Sequence, residues 1–153
     1  LSKNVSGLVR NAGPDALDRN MAVAIGLFSL LDLMGVNYTV DPTTPFAEYS
    51  LSATSIDYLQ FPRQTLEYRG GDCDDLTALY CALLENVGVH TALVDLPGHI
   101  FMMFDTGVGR WEAYRLPVDA RLVEMWGERL WVPVEITRLI FSARQRTSPM
   151  ASL

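Results

Sequence analysis

The chain has 153 residues, of which 49% are hydrophobic and 20% are charged, and its formal net charge is −6. A chain of this length buries about 68–70% of its unfolded surface, which is enough for one domain with a substantial core. The negative charge argues against nucleic acid or an anionic membrane surface as a partner, because both attract a basic face. The longest apolar stretch, residues 21–31, is much shorter than the ~20 residues that cross a bilayer, so no membrane insertion is predicted.

The N-terminal part of the chain is predicted to form one buried helix followed by a long loop. Apolar residues over 15–34 fit a helix, and Gly35 is placed to end it. Residues 36–40 favour a short strand. Residues 41–55 contain two prolines and many hydroxyl groups and favour a loop, and residues 56–66 indicate a turn or short helix that breaks near its proline.

The strongest helix signal covers residues 72–87. Its apolar side chains recur at i, i+3, i+4, i+7, i+8 and i+11, the spacing of one helix face: Leu76, Leu79, Tyr80, Leu83, Leu84 and Val87. Gly70-Gly71 allows a sharp turn before the helix, and Gly88 is a suitable C-cap. Asp72 is a good N-cap residue and forms with Asp75 the pattern of a capping box.

Beyond Gly88 the sequence pattern changes from the helical period to that of strands. Four segments are short, rich in β-branched and aromatic residues, and bounded by glycine or proline: residues 90–96, 99–105, 110–116 and 129–137. Residues 117–128 are predicted to insert a short helix before the last strand. Helices followed by strands indicate an α+β fold, in which the N-terminal helices and the helix over 72–87 pack on a mainly antiparallel sheet of about four strands.

A single domain is expected over residues 1–141, with residues 142–153 as a tail or a linker to further domains. The chain begins with Leu and carries no signal-peptide pattern, so we interpret it as a processed protein or as one domain of a longer protein. Its two cysteines are too few for a disulfide framework and do not define a redox compartment.

Cys73 falls on the first turn of the helix over 72–87, close to its apolar stripe, and is expected to face the body of the protein. Free backbone N–H groups at a helix N-terminus lower a thiol pKa and can bind an oxyanion. The negative charges of Asp72, Asp74 and Asp75 act in the opposite direction and raise the pKa of the thiol. A reactive Cys73 therefore needs a cationic partner, most naturally a histidine.

His99 is the better placed of the two histidines. It follows a Pro-Gly bend at the mouth of a predicted central strand, from which an imidazole can reach the end of a packed helix. The imidazole of such a pair needs a third group to hold it, and Glu135 lies near the end of a later strand. His90 opens the strand after Gly88 and is interpreted as structural.

Three segments that carry these residues resemble a known family: GGDCDDLTALYCALLENVGVHTALVDL, GHIFMMFD and WVPVEIT. Their order and local context are similar to the transglutaminase-like superfamily of papain-like thiol enzymes, over about residues 61–137, which is half the chain. The pattern of that family is Gly-x-Cys at a helix start, His on a following strand, and Asp ending an aromatic-x-Pro-x-Asp strand. More narrowly, the chain looks like prokaryotic members of the group, which are often parts of longer proteins.

The resemblance implies a transglutaminase-like, papain-like core and a catalytic triad. Cys73 would be the nucleophile, His99 the base and Glu135 the orienting acid. The family usually has Asp where this chain has Glu135, and Asp119 is the alternative third residue.

By the same resemblance, the protein is expected to be a cysteine-dependent hydrolase or acyl transferase that acts on peptide or amide bonds through a thioacyl-enzyme. Hydrolysis is favoured over transfer to an amine, no cofactor is implied, and the expected partner is a protein or peptide substrate. Gln60 and Gln64 precede the cysteine and are candidates for a side-chain oxyanion donor. The alternative is a catalytically silent binding or scaffold domain. The oligomeric state and the cellular compartment both stay open, with the bacterial periplasm or cell envelope as the compartment towards which the interpretation leans.

The remaining residues do not favour a metal site. A zinc site would have to combine these residues, which lack the close cysteine pair of zinc modules: Cys73, Cys81, His90 and His99. The aspartates around Cys73 do not follow the EF-hand spacing, and helix capping explains them. Cys81 lies off the centre of the apolar stripe and is interpreted as a small packing residue.

Overall fold

The computed structural model describes residues 16–40 and 58–139. Within these ranges the helices are α1 (Ala16–Leu33), α2 (Pro62–Tyr68) and α3 (Cys73–Glu85). The strands are β1 (Asn37–Tyr38), β2 (Gly70–Gly71), β3 (Thr91–Leu96), β4 (His99–Gly109), β5 (Glu124–Trp126) and β6 (Arg129–Val134). The 3₁₀ helices are η1 (Arg110–Arg115), η2 (Ala120–Leu122) and η3 (Ile136–Leu139). The predicted loop over 41–55 and the predicted tail over 142–153 lie outside the described residues.

The strands form one small parallel pair and one larger antiparallel sheet. β1 and β2 pair in parallel, with Asn37 opposite Gly70 and Tyr38 opposite Gly71. The larger sheet has the strand order β3-β4-β6-β5, and each neighbouring pair is antiparallel. The mixed helix and sheet composition confirms the predicted α+β class and the mainly antiparallel sheet of four strands.

The main core lies between α1, α3 and the four-stranded sheet. Its most deeply buried side chains come from both helices, β4 and η3: Val23, Leu27, Leu31, Leu76, Leu79, Tyr80, Leu84, Met102 and Ile136. The hydroxyl of Tyr80 donates a 2.7 Å hydrogen bond to the carbonyl of Ala24, which satisfies a buried polar group and ties α3 to α1. No helix within the described ranges is both long enough and apolar enough to cross a membrane.

Both long helices end on a glycine in the left-handed region, as the sequence predicts. Gly88 has φ +80, and its amide bonds to the carbonyl of Glu85 at 3.0 Å. The amide of the buried Val89 bonds to the carbonyl of Leu84 at 3.1 Å, which completes a Schellman motif. α1 closes in the same way at Gly35, which has φ +75. These ends fix where the chain leaves each helix for the next strand.

The prediction that the segment 56–66 breaks near Pro62 is wrong. Pro62 is instead the first residue of α2, a position where a proline loses no helical hydrogen bond because the first N–H groups of a helix have no partner. The side chain of Gln64 closes this turn, since its Oε1 accepts a hydrogen bond from the amide of Phe61 at 2.9 Å.

The predicted strand over 110–116 is also wrong, because these residues form η1. Their aromatic side chains do not alternate between buried and exposed faces: Trp111 and Tyr114 are 84% and 85% exposed. An ion pair of 2.6 Å between Glu112 and Arg115 matches a helical spacing and supports the 3₁₀ turn. The predicted helix over 117–128 is correct only for η2, because its second half forms strand β5.

Candidate active site

Cys73 is the first residue of α3 and follows β2 after a single residue. Its side chain is only 5% exposed, so it faces the body of the protein as expected. The chain reaches this position through Gly71, whose carbonyl accepts a 2.9 Å hydrogen bond from the amide of Thr39. A Cβ on Gly71 would lie 2.5 Å from the Cβ of Asp75, so a glycine is required where β2 meets the helix.

The capping box predicted for Asp72 and Asp75 does not form as expected. Asp72 occupies the N-cap position, but its side chain makes no cap hydrogen bond. Asp75 is buried, and its carboxylate accepts hydrogen bonds from both the backbone amide of Gln60, at 2.7 Å, and the side-chain Nε2 of Gln60. Burial raises the pKa of Asp75, and the hydrogen bond from the Gln60 backbone opposes that shift. Asp75 therefore ties α3 to the segment before α2.

The two glutamines considered as oxyanion donors serve other contacts. Gln60 uses its Nε2 to bond Asp75. Gln64 accepts from the Phe61 amide and donates to the hydroxyl of Tyr58 at 3.3 Å. Neither of these hydrogen bonds reaches Cys73, so the structure gives both side chains a role in holding α2 in place.

His99 is the first residue of β4, directly after the β3–β4 turn in which Gly98 has φ +77. Its Nε2 lies 2.5 Å from Oε2 of Glu135, and both side chains are 37% exposed. The ring stacks on Phe101 with centroids 6.3 Å apart and an interplanar angle of 24°. Two neighbours therefore fix the plane of the imidazole, one through a hydrogen bond and one through ring contact.

Glu135 follows the last residue of β6, and Thr137 holds its carboxylate. Oε1 of Glu135 accepts from the Thr137 hydroxyl at 2.6 Å and from the Thr137 amide at 3.2 Å. Burial raises the pKa of Glu135, but the hydrogen bonds from Thr137 and His99 outweigh it and leave the pKa below its usual value. The sequence analysis missed Thr137, although the spacing Glu-x-Thr after a strand is a local signal for this contact.

Asp119, the alternative third residue, lies elsewhere. It occupies the N-cap of η2, where it accepts from the amide of Arg121 at 2.9 Å and pairs with the Arg121 guanidinium at 2.6 Å. Hydrogen bonds from Arg121 lower the pKa of this exposed carboxyl. The structure thus brings Glu135, and not Asp119, to the imidazole of His99.

The Cys73 thiol interacts through a hydrogen bond with the backbone of Ile100, the second residue of the strand that begins at His99. This hydrogen bond lowers the pKa of the thiol. Burial is the larger effect and, with the charges of Asp72 and Asp74, raises the pKa of Cys73 to about 11. Among the described residues, no hydrogen bond joins the thiol to the His99 ring. The predicted hydrogen bond between Cys73 and His99 is therefore not found among the described residues, and the raised pKa favours the protonated thiol.

Tyr38 is a second residue that the sequence analysis missed. It lies on β1 opposite Gly71, two residues before Cys73. Burial raises the pKa of its phenol, and the charges of Cys73, Asp72, Asp74 and Glu135 raise it further. The raised pKa favours the protonated phenol, which can donate a hydrogen bond. No local motif marks Tyr38, because its placement depends on the pairing of β1 with β2.

The other polar candidates are separate from this arrangement. Cys81 packs against the core, and both cysteines are free thiols. His90 is exposed, and its Nδ1 lies 3.6 Å from Oε2 of Glu85. Around Cys73, the following carboxylates have oxygens within 4.8 Å of one another: Asp72, Asp74 and Asp75. A cluster of carboxylates does not by itself define a cation site.

No protein-family model, curated protein or solved structure matches this chain. The candidate site contains a buried thiol at a helix N-terminus, an imidazole held by a carboxylate, and a phenol whose pKa is raised by burial and by the neighbouring charges. A nucleophile, a base and an orienting acid in this order are the components of nucleophilic acyl chemistry.

Proposed function

We propose that the protein is a transglutaminase-like cysteine hydrolase or acyl transferase that acts on a peptide or amide bond of a protein substrate, with hydrolysis as the favoured outcome. The observation that supports this most directly is the 2.5 Å hydrogen bond between His99 and Glu135. It lies at the start of the strand whose next residue, Ile100, interacts with the Cys73 thiol. The residues that these contacts join are far apart in the sequence.

The hydrogen bond to Glu135 determines which imidazole nitrogen acts as the base. Glu135 has a lowered pKa and is an acceptor, so Nε2 of His99 carries the proton in this bond. In the neutral ring, Nδ1 is then the acceptor that remains for the Cys73 proton. Once Nδ1 is protonated, the negative charge of Glu135 stabilises the imidazolium.

The reaction follows from these roles. As the Cys73 thiol gives its proton to Nδ1 of His99, its sulfur forms a bond to the substrate carbonyl carbon, and the carbonyl electrons move to oxygen. Backbone N–H groups at the start of α3 and the hydroxyl of Tyr38 are available to the oxyanion. When the oxyanion collapses, the C–N bond breaks and the amine leaves with the proton from His99. Water then attacks the thioester as His99 takes its proton, the carboxylic acid is released, and the proton returns to sulfur.

The high thiol pKa favours proton transfer during the attack rather than before it. A Cys73 thiol with a pKa of about 11 is almost entirely protonated at neutral pH. His99 therefore serves as a general base that must approach the thiol when substrate binds, and catalytic contacts of this kind often tighten only in the substrate complex.

The alternative is a silent binding or scaffold domain. The same raised pKa of Cys73 favours it, together with the lack of a hydrogen bond between the thiol and His99 among the described residues. An acylation test with p-nitrophenyl acetate separates the two. The enzyme should release a burst of one p-nitrophenolate per chain, which Cys73→Ser abolishes and Cys81→Ser retains. A missing burst, or an equal burst in Cys73→Ser, would favour the silent domain.

A further inference from the structure

A pocket of about 310 Å³ is lined by both residues of β2 and by Asp72, the N-cap residue of α3. The residues that give it chemical character are Tyr58, Gln60, Tyr68, Gly71, Asp72 and Asp75. Gly71 and Asp72 directly precede Cys73 in the chain, and consecutive Cα atoms are about 3.8 Å apart. The pocket therefore borders the start of α3, the helix whose first residue is Cys73. Its volume falls in the range of small-molecule sites, about 300–1000 Å³.

Two polar side chains of the pocket lining, Gln60 and Asp72, carry hydrogen-bond acceptors. Oε1 of Gln60 is fully buried and, within the part of the chain that the structure describes, has no hydrogen-bond partner. The Nε2 of the same amide already donates to Asp75, so Oε1 is the atom of this amide that lacks a partner, and a buried acceptor of this kind points to a bound group. The buried Asp72 adds a carboxylate. None of the described residues that line the pocket is Lys, Arg or His.

Aromatic rings form the outer part of the same pocket. Tyr58 and Tyr68 are 60% and 66% exposed, so both are accessible to a ligand. The face of an aromatic ring attracts a cation, and an alkyl chain packs well against it. A ligand with an apolar stem and a cationic head that donates several hydrogen bonds satisfies both the tyrosines and the acceptors at once.

We propose that this pocket binds the cationic side chain, Lys or Arg, of the substrate residue whose carbonyl Cys73 attacks. The inference rests on the proposed function, and it specifies the substrate as a peptide cleaved after a basic residue. Asp72 supplies the opposing charge, Gln60 Oε1 accepts a hydrogen bond, and the two tyrosines contact the alkyl stem.

The test uses peptidyl acyloxymethyl ketones that differ only in the residue beside the ketone: Lys, norleucine or Glu. Norleucine keeps the alkyl stem of Lys and removes its charge. The rate at which each probe alkylates Cys73 is followed by mass spectrometry. We expect the Lys probe to react at least about tenfold faster than the norleucine probe, and the Glu probe to be the slowest. A norleucine rate equal to or above the Lys rate would overturn the inference.

Asp72→Asn and Asp74→Asn form a matched pair for the charge. Both aspartates raise the pKa of Cys73, and each substitution removes one charge, but only Asp72 lines the pocket. Asn is as good an N-cap residue as Asp, so the start of α3 should persist in Asp72→Asn. We expect the Lys preference to disappear in Asp72→Asn and to remain in Asp74→Asn. An equal loss in both variants would show a general charge effect and contradict a binding pocket.

The p-nitrophenyl acetate burst separates this inference from the function on which it rests. A burst without a Lys preference refutes the pocket and leaves the thiol enzyme intact, whereas a missing burst refutes both. n-Butylamine tests whether the pocket instead holds an attacking amine. If n-butylamine is joined to the acyl group while the three probes react equally, the pocket serves the acceptor and our assignment to the acylated residue is wrong.

Discussion

His99 and Glu135 are 36 residues apart in the sequence, yet Nε2 of the imidazole lies 2.5 Å from Oε2 of the carboxylate. The pair forms because β4 begins at His99 and β6 ends just before Glu135, and the two strands are antiparallel neighbours. The first residue of one strand and the residue after the other therefore meet at the same end of the sheet.

Replacing Glu135 by Gln tests this pair. Gln keeps the size of the side chain but cannot stabilise an imidazolium, and it can stabilise the wrong tautomer of His99. We expect kcat for an activated ester or peptide to fall by about 10²–10⁴-fold. The matched control is Asp119→Asn, which removes a carboxylate that pairs with Arg121 and should leave kcat unchanged. A large fall of kcat in Asp119→Asn, with little change in Glu135→Gln, would instead make Asp119 the third residue of the triad.

Replacing Thr137 by Val tests whether the Glu135 carboxylate needs its second support. The Thr137 hydroxyl and amide help keep the pKa of Glu135 below its usual value. Val removes the hydroxyl, so the pKa rises, and the acid limb of the pH–rate profile should move to higher pH. The free energy of unfolding should also depend on this hydroxyl. The lowered pKa of Glu135 stabilises the fold at pH values above the pKa of this group in the unfolded chain, and this stabilisation is lost as the pH falls through the pKa in the folded protein. Thr137→Val should reduce it.

Thr137→Ser restores the hydroxyl and is the rescue for Thr137→Val. Its acid limb should return to the wild-type position. A pH profile that is the same in both variants and in the wild type would mean that Thr137 only packs. A uniform fall in rate with no shift along the pH axis would give the same answer.

Replacing Asp74 by Asn should make Cys73 a stronger nucleophile. Burial is the main cause of the raised thiol pKa, and Asp74 adds to it. Removing one nearby negative charge should lower the pKa enough to speed iodoacetamide labelling of Cys73 by about threefold or more at a pH near 8.5. Labelling is measured on the Cys73 peptide by mass spectrometry. Glu128→Gln, an exposed charge in the β5–β6 turn, should not change the rate. An unchanged labelling rate in Asp74→Asn would contradict the claim that the charge of Asp74 raises the pKa of the Cys73 thiol.

Replacing Tyr38 by Phe tests the phenol as an oxyanion donor. We expect the acylation rate to fall by about tenfold or more while KM changes little, because the contact strengthens only as charge develops on the substrate oxygen. Tyr114→Phe loses the same hydroxyl at an 85% exposed position and should behave as wild type. An unchanged acylation rate in Tyr38→Phe would leave the oxyanion to the backbone N–H groups of α3.

Replacing Gly71 by Ala tests the close approach beneath Cys73. The added Cβ would lie 2.5 Å from the Cβ of Asp75, so the start of α3 must shift. We expect a loss of ~1–3 kcal/mol in the free energy of unfolding, measured by urea titration. Gly109→Ala meets nothing closer than a carbonyl oxygen at 3.6 Å and should cost much less. Equal costs would show that the Gly71 contact relaxes freely.

The local parts of the fold were predictable from the sequence. The apolar period over 72–87 and the glycines at 35 and 88 specify helices and their ends, because these signals act within a few residues. β3, β4 and β6 followed from their β-branched and aromatic content. The segment 110–116 has the same composition, but its aromatic side chains are exposed, and composition alone does not report which face of a segment is buried.

The candidate site was also predictable only in part, because local sequence context does not report which distant segments pair. Cys73, His99 and Glu135 each have a local sequence context, and the structure brings the last two into contact. Tyr38 has no such context, since it reaches the site only because β1 pairs with a strand of two glycines. The bond from Gln60 to Asp75 competes with a capping box that looks equally good in the sequence, and only tertiary packing decides between them.

The pairing of β4 with both of its neighbours determines on which face of the sheet the His99 side chain lies. Leu96 lies opposite His99 across one ladder, and Met102 lies opposite Val134 across the other. Successive side chains of a strand point to opposite faces, so a slip of one residue in β4 would turn the imidazole to the far side of the sheet and away from Glu135. Any catalytic activity of this chain would then depend on the register of β4 against β3 and β6. Changes in the β3–β4 turn, remote from any substrate, could switch it off as completely as loss of the thiol.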